Sequence, residues 1–205
     1  MAISAAMVKE LREMTGVGPL DCKKALEEHN GNMEAAANYL REKGLAKAIK
    51  KAGRAANEGV IQTYMHHNGR LGVMVEINCE TDFVANTDAF KNFTKDVALH
   101  IANLAPRFVT REEVSEQVIE EERQFQRRRA LEEGKPESVV DKMIEGRMSK
   151  FFEEVVLMEQ AFIKDDSITI EELRRQTVAE VGENIVVRRF ARYELGEAGD
   201  DAAEE

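Results

Sequence analysis

The chain has 205 residues, of which 43% are hydrophobic and 33% charged, and its formal net charge is −10 at pH 7. A folded body of ~150 residues buries about 70% of the surface its unfolded chain exposes, so a core is available, whereas the negative balance excludes a general nucleic-acid binder, which needs a basic footprint. Cys22 and Cys79 cannot build a disulfide framework, no apolar run approaches membrane-spanning length, and Met1 to Glu10 lacks the basic start and apolar core of a secretory signal, so the expectation is a soluble cytoplasmic chain with reduced thiols.

Residues 1–45 read as three short helices. Met7, Leu11 and Met14 fall at i, i+4 and i+7 on the first, Ser4 is placed to cap it, and Gly16-Val17-Gly18-Pro19 breaks it. The second carries Cys22, Ala25 and Leu26 on one side and ends at His29-Asn30-Gly31. Asn32 can cap a third bearing Met33, Ala36, Ala37 and Leu40, and Gly44 suits a left-handed position just past its end. Three helices of this size form a minimal bundle. Residues 46–56 then form a basic linker helix, with Lys47, Lys50, Lys51 and Arg54 among alanines. This stretch reads either as a solvated helix or as a contact to nucleic acid or an acidic protein surface, and it holds no aromatic for base stacking.

After Gly59 the period changes to that of strands. Asn68-Gly69 between alternating runs is a type I′ hairpin signal with a two-residue loop. That loop pairs His67 with Arg70, Tyr64 with Val73, Gln62 with Val75 and Val60 with Ile77, so Val60, Tyr64, Leu71, Val73, Val75 and Ile77 line one face. The second strand runs into Glu80-Thr81-Asp82-Phe83-Val84-Ala85-Asn86, between a strand end and a helix start. Function concentrates in such loops because a rigid scaffold holds them exposed. Two readings of Asp82 and Phe83 stand side by side: an Asx-type turn with the ring tucked under the following helix, or a ring offered to a pocket on a partner.

Phe90, Phe93, Val97, Ile101 and Leu104 mark a helix that ends before Pro106. Thr110-Arg111-Glu112-Glu113 has the form of a capping box opening an acidic helix. Gly134-Lys135-Pro136 turns the chain into another long helix striped by Val140, Ile144, Met148, Phe151, Val155 and Met158, which makes a helical hairpin over about 111–158. Thr169-Ile170-Glu171-Glu172 opens one more helix, which Gly182 stops, and Ile185, Val187, Ala191, Tyr193 and Leu195 alternate as a last strand joining the earlier hairpin. The ending has no core-forming pattern, and 197–205 reads as an acidic, disordered tail. The expected class is α+β: an N-terminal three-helix bundle, then a core over 57–196 of a three-stranded antiparallel sheet with packed helices and the helical hairpin.

Catalytic constellations are poor. His66 and His67 are adjacent in a hairpin and point to opposite faces, Cys79 and Cys22 lie elsewhere, and there is neither a phosphate-binding glycine loop nor a G-x-S-x-G elbow. No catalytic residue, no metal site and no cofactor are expected.

Ordered blocks run along the chain: Leu11-Arg12-Glu13-Met14-Thr15-Gly16-Val17-Gly18 with Asp21-Cys22-Lys23-Lys24-Ala25-Leu26, Ala52 to Gly59, Thr81-Asp82-Phe83-Val84, Lys135-Pro136-Glu137, Lys150-Phe151-Phe152, Glu159-Gln160-Ala161-Phe162 followed by Lys164-Asp165, and Arg189 to Glu197. Together they resemble the bacterial translation elongation factor Ts family, in its short, single-core form. The resemblance implies a guanine-nucleotide exchange factor for elongation factor Tu, bound in its GDP-loaded and nucleotide-free states, and not an enzyme. It implies a ubiquitin-associated-like first domain that docks on the partner through Leu11, Met14, Val17 and Gly18. It implies an exchange loop, Thr81, Asp82, Phe83 and Val84, that displaces the partner's magnesium-binding region. Long members have a duplicated core and short ones are homodimers, so a homodimer is expected here, with no direct nucleic-acid or membrane partner. The alternative is a non-catalytic adaptor with the core as a dimerisation module; a further one is an RNA-binding accessory factor using Lys47 to Arg54.

Overall fold

The computed structural model describes residues 3–15 and 17–197, the side chains of 45 and 47–49 excepted. Gly16 of the first helix break, and the tail from 198 onward, lie outside the described residues. The class is α+β, as the sequence patterns imply. Helices α1 (Ala5–Thr15), α2 (Pro19–Glu28) and α3 (Met33–Lys51) are followed by strands β1 (Glu58–Met65) and β2 (Leu71–Cys79). Next come α4 (Asp82–Ala85), α5 (Asp88–Leu104), α6 (Glu116–Glu132) and α7 (Glu137–Val155), then β3 (Ala161–Phe162), β4 (Asp165–Thr169), α8 (Ile170–Val181) and β5 (Ile185–Glu194). The antiparallel sheet has the order β1-β2-β5, with β2 in the middle.

The chain divides into two compact units, Met1–Gln62 with Glu76–Lys95 and Glu172–Val187, and Thr63–Val75 with Asp96–Glu171 and Arg188–Glu205. In the first, Leu11, Cys22, Ala25, Leu26, Ala36 and Leu40 form the bundle core. Ser4 caps α1, its Oγ accepting from the Met7 amide at 3.2 Å, and Asn32 caps α3, its Oδ1 accepting from the Ala35 amide at 3.0 Å. Gly44 departs from expectation: it lies inside α3, which runs on to Lys51. An added Cβ there would sit 3.0 Å from the Ala179 Cβ of α8, so this glycine serves close helix approach, not helix termination. Gly59 has φ +140°, and a Cβ would lie 2.2 Å from the Ile77 carbonyl oxygen, a position only glycine can fill.

In the second unit the hairpin turn is longer than expected. The His66 amide donates to the Leu71 carbonyl at 2.9 Å, which keeps the anticipated register, but the Gly69 amide donates to the His66 carbonyl at 2.8 Å, leaving 67–70 as a four-residue loop. His67 is therefore in the loop and not on the strand, and its ring centroid lies 4.2 Å from that of His66 instead of on the opposite face. Val73, Val75 and Ile77 of β2 are buried as the alternation requires. Thr110 precedes only a 3-10 turn at Arg111–Glu113, while Ser115 caps α6 by accepting from the Val118 amide at 3.3 Å. Ala130, Val140, Ile144 and Met148 pack the helical hairpin of α6 and α7. The sequence patterns do not predict the β3–β4 ribbon: β3 has only two residues, too few to show a period, and β4 opens with the polar run Asp165-Asp166-Ser167.

His100 on α5 is fully buried; it accepts the Ile163 amide at Nδ1 (3.3 Å), and its Nε2 lies 2.9 Å from the Gln160 Oε1. With Nδ1 accepting, the proton sits on Nε2. Gln160 Nε2 in turn donates to the Glu154 carbonyl at 2.7 Å. Burial holds the His100 pKa below the ordinary imidazole value, opposed by the hydrogen bond to Gln160.

Candidate functional site: the loop after the central strand

Strand β2 ends at Cys79, and the chain closes at once into the single turn of α4. Thr81 is extended (φ −133°, ψ 155°) and caps that turn, its Oγ1 accepting from the Val84 amide at 3.4 Å. Thr87 closes the other end, its hydroxyl donating to the Val84 carbonyl at 2.8 Å. One helical turn sends neighbouring residues to different sides. Val84 and Ala85 face inward and are buried, whereas Asp82 and Phe83 face outward. Phe83 is 78% exposed, so its ring does not fold back under α5, and the tucked reading is corrected. A large apolar ring held in water has no role in this chain's own core.

The loop is held from a distant part of the chain. Glu183, in the turn between α8 and β5, accepts from the Thr81 amide at 3.0 Å and from the Thr81 hydroxyl at 2.8 Å. Glu80 reciprocates, its Oε1 accepting from the Asn184 amide at 2.7 Å and lying 3.5 Å from the Arg54 guanidinium. Beneath the loop the Cys79 thiol donates to the Thr81 carbonyl at 3.1 Å. Burial pushes that thiol's pKa up and the charge of Glu183 adds to the shift, against backbone hydrogen bonds at Thr81 and Ala85.

The second expected set lies on the three-helix bundle and is mixed in character. Leu11 is fully buried and belongs to the bundle core. Met14 is 62% exposed, Val17 is half-buried, and Gly18 caps α2 with open space where a Cβ would be. Sequence reasoning passed over Leu20, which is 76% exposed in the first turn of α2. The available signal was that Leu20 lies off the Cys22, Ala25 and Leu26 stripe of the same helix. Among the described residues no group of three or more His, Cys, Asp or Glu side chains could hold a metal ion, and no helix is long and apolar enough to cross a membrane.

The family model for "Elongation factor TS" matches residues 3–197. The chain belongs to the elongation factor Ts family. It is similar to the elongation factor Ts of Carboxydothermus hydrogenoformans, with 60% identity over 195 residues that cover 95% of this chain and 90% of the relative. It is also similar to that of a Thermoanaerobacter species, with 55% identity over 203 residues covering 99% of this chain and all (100%) of the relative. The protein of Geobacter sulfurreducens is 54% identical over 197 residues, 96% of this chain and 91% of its own length. Membership of this family implies a factor of translation elongation that exchanges nucleotide on elongation factor Tu, work in which no substrate bond is made or broken.

Proposed function

We propose that this chain drives GDP from elongation factor Tu with the loop Thr81, Asp82, Phe83 and Val84, and that Phe83 is the wedge. The observation that carries the reading is an aromatic ring 78% exposed on a helical turn capped by Thr81, which Glu183 holds through two hydrogen bonds. Inserting that ring into a pocket on the partner gains about 1.5–3 kcal/mol. Because the turn is preorganised, little of that gain is spent on ordering it. Asp82, exposed beside Phe83, brings negative charge and hydrogen-bond acceptors toward the partner's magnesium region. Magnesium demands near-ideal octahedral oxygen geometry, so a small displacement of the elements around it weakens its hold. The diphosphate then loses its main counter-charge, and GDP leaves. The coupling is reciprocal: a factor that lowers the partner's affinity for nucleotide is itself expelled by incoming GTP.

Residues 1–45 form the docking domain in this reading. Met14 and Val17, joined by Leu20, make its apolar contact, Gly18 lets the partner approach, and Leu11 supports the face from within. The stretch 46–56 connects docking to the core at 57–196. A homodimer completes the proposal. Met65, Met74, Tyr193 and Leu195 are all exposed and border a hollow of about 700 Å³, a surface suited to a second copy of the chain.

The test is stopped-flow release of fluorescent GDP from elongation factor Tu, with the native chain and with the Asp82→Ala/Phe83→Ala variant. Acceleration that collapses in the variant supports the loop as the exchange element. Acceleration that survives it moves the mechanism elsewhere, and no acceleration favours an adaptor.

A further inference from the structure

The turn Gly182-Glu183-Asn184 touches two segments far from it in sequence. On one side Glu183 takes both the amide and the hydroxyl of Thr81, the residue that caps the α4 turn. On the other side the Asn184 amide nitrogen Nδ2 donates to the carbonyls of Ala52 (3.3 Å) and Arg54 (2.8 Å), and the Lys51 ammonium donates to the Gly182 carbonyl at 2.5 Å. Those are the residues by which the chain leaves α3 and the three-helix bundle. A third strand of the network joins the two sides directly, since Glu80 accepts from the Asn184 amide and faces Arg54. Asn184 is buried to within 1% of complete exclusion. Its Oδ1 has no hydrogen-bond partner among the described residues. An asparagine kept at that cost is held for the two carbonyls its other end grips.

We propose that Glu183 and Asn184 are positioning residues for nucleotide exchange: Glu183 sets the turn that presents Asp82 and Phe83, and Asn184 ties that turn to the exit of the docking bundle. Neither touches the partner. Docking of the bundle and insertion of the ring then act on the partner as one rigid event, so the energy of the first is available to drive the second. The carboxylate of Glu183 suits this task because its two oxygens meet two donors on one residue, fixing the orientation of the α4 turn as well as its position. This inference rests on the reading of Phe83 as the wedge.

The experiment is a double-mutant cycle on catalysed GDP release, with Glu183→Gln and Phe83→Ala made singly and together in the full chain. Rates are followed to saturation with the factor. Loss of one hydrogen bond to a charged group slows the saturated rate of the Glu183→Gln variant about tenfold, with the half-saturating concentration little changed. In the Phe83→Ala background the same substitution changes the rate by less than about twofold, because there is no longer a ring to position. Thr81→Val breaks the contact from the other side and also removes the cap on α4, so it slows exchange at least as much as Glu183→Gln, and the two together slow it no further than Thr81→Val alone; it serves as well if Glu183→Gln fails to fold. Amide hydrogen exchange at Thr81 in the free factor accelerates in Glu183→Gln while the amides of the bundle core keep their protection. For Asn184→Ala, the effects of Met14→Ala and Phe83→Ala, non-additive in the native chain, become additive. The proposal is overturned by a native saturated rate in both Glu183→Gln and Thr81→Val, or by losses that multiply with Phe83→Ala. Native exchange by Phe83→Ala itself overturns the wedge instead, a result distinguishable from failure of the positioning role.

Discussion

Glu183 and Thr81 stand 102 positions apart in the chain and share two hydrogen bonds, at 3.0 and 2.8 Å. That pair joins the turn after α8 to the turn after β2, from which Phe83 faces the solvent. The exposed ring of Phe83 is thus a property of tertiary structure built on a short sequence motif.

Phe83→Ala separates function from folding. A side chain 78% exposed contributes little to the native core, so its removal leaves stability within about 0.5 kcal/mol of the native chain. The same change slows catalysed GDP release by about 10- to 100-fold, the loss of ~1.5–3 kcal/mol of ring burial on the partner. Thermal unfolding and stopped-flow release on one preparation check both halves.

Acid weakens the fold through His100. Its pKa is lowered in the native state by burial, so in the window between that lowered value and the ordinary imidazole value the unfolded chain binds a proton that the native chain refuses. Stability therefore falls as pH drops through this window, by at most about 1.4 kcal/mol per pH unit, and the contribution levels off below it. Urea unfolding from pH 8 to pH 5 reads the slope, and His100→Gln reduces it. An unchanged slope in that variant would show that His100 is not its source.

Gly44→Ala tests the approach of α3 to α8. Alanine gains up to ~1 kcal/mol of helix propensity, but overpacking against the Ala179 Cβ at 3.0 Å costs about 1–3 kcal/mol, so the net effect is destabilising. Adding Ala179→Gly relieves the contact and recovers most of the overpacking cost. A higher melting temperature for Gly44→Ala alone would show that the two helices separate freely.

The dimer is tested by sedimentation equilibrium. Tyr193→Asp together with Met74→Asp puts two charges on an exposed apolar surface that the folded chain does not need for its own core. The variant shifts to monomer with an unchanged far-ultraviolet spectrum. A native chain that is already monomeric at micromolar concentration removes the dimer from the account.

Much of the fold was legible because its causes are local. Ser4 and Asn32 cap the helices they precede, the Asn68-Gly69 signal sets the register that His66 and Leu71 keep, and Gly182 ends α8. The errors came where a residue's meaning depends on something distant. Gly44 carries the mark of a helix end, yet it serves a helix more than 100 residues away. Thr110 begins a well-formed capping box, but α6 starts after Ser115.

By itself the sequence determined the family, the α+β class, the run of most elements and the motif Thr81-Asp82-Phe83-Val84, because periodicity, caps and turn residues act over a few positions. Only the tertiary structure decided that Phe83 points outward and that Leu11 is core while Leu20 is surface. It alone brought Glu183 and Asn184 to the loop after β2 and the segment after α3. Those outcomes depend on which buried neighbours and hydrogen-bond partners folding brings together from remote parts of the chain, and no local pattern encodes them.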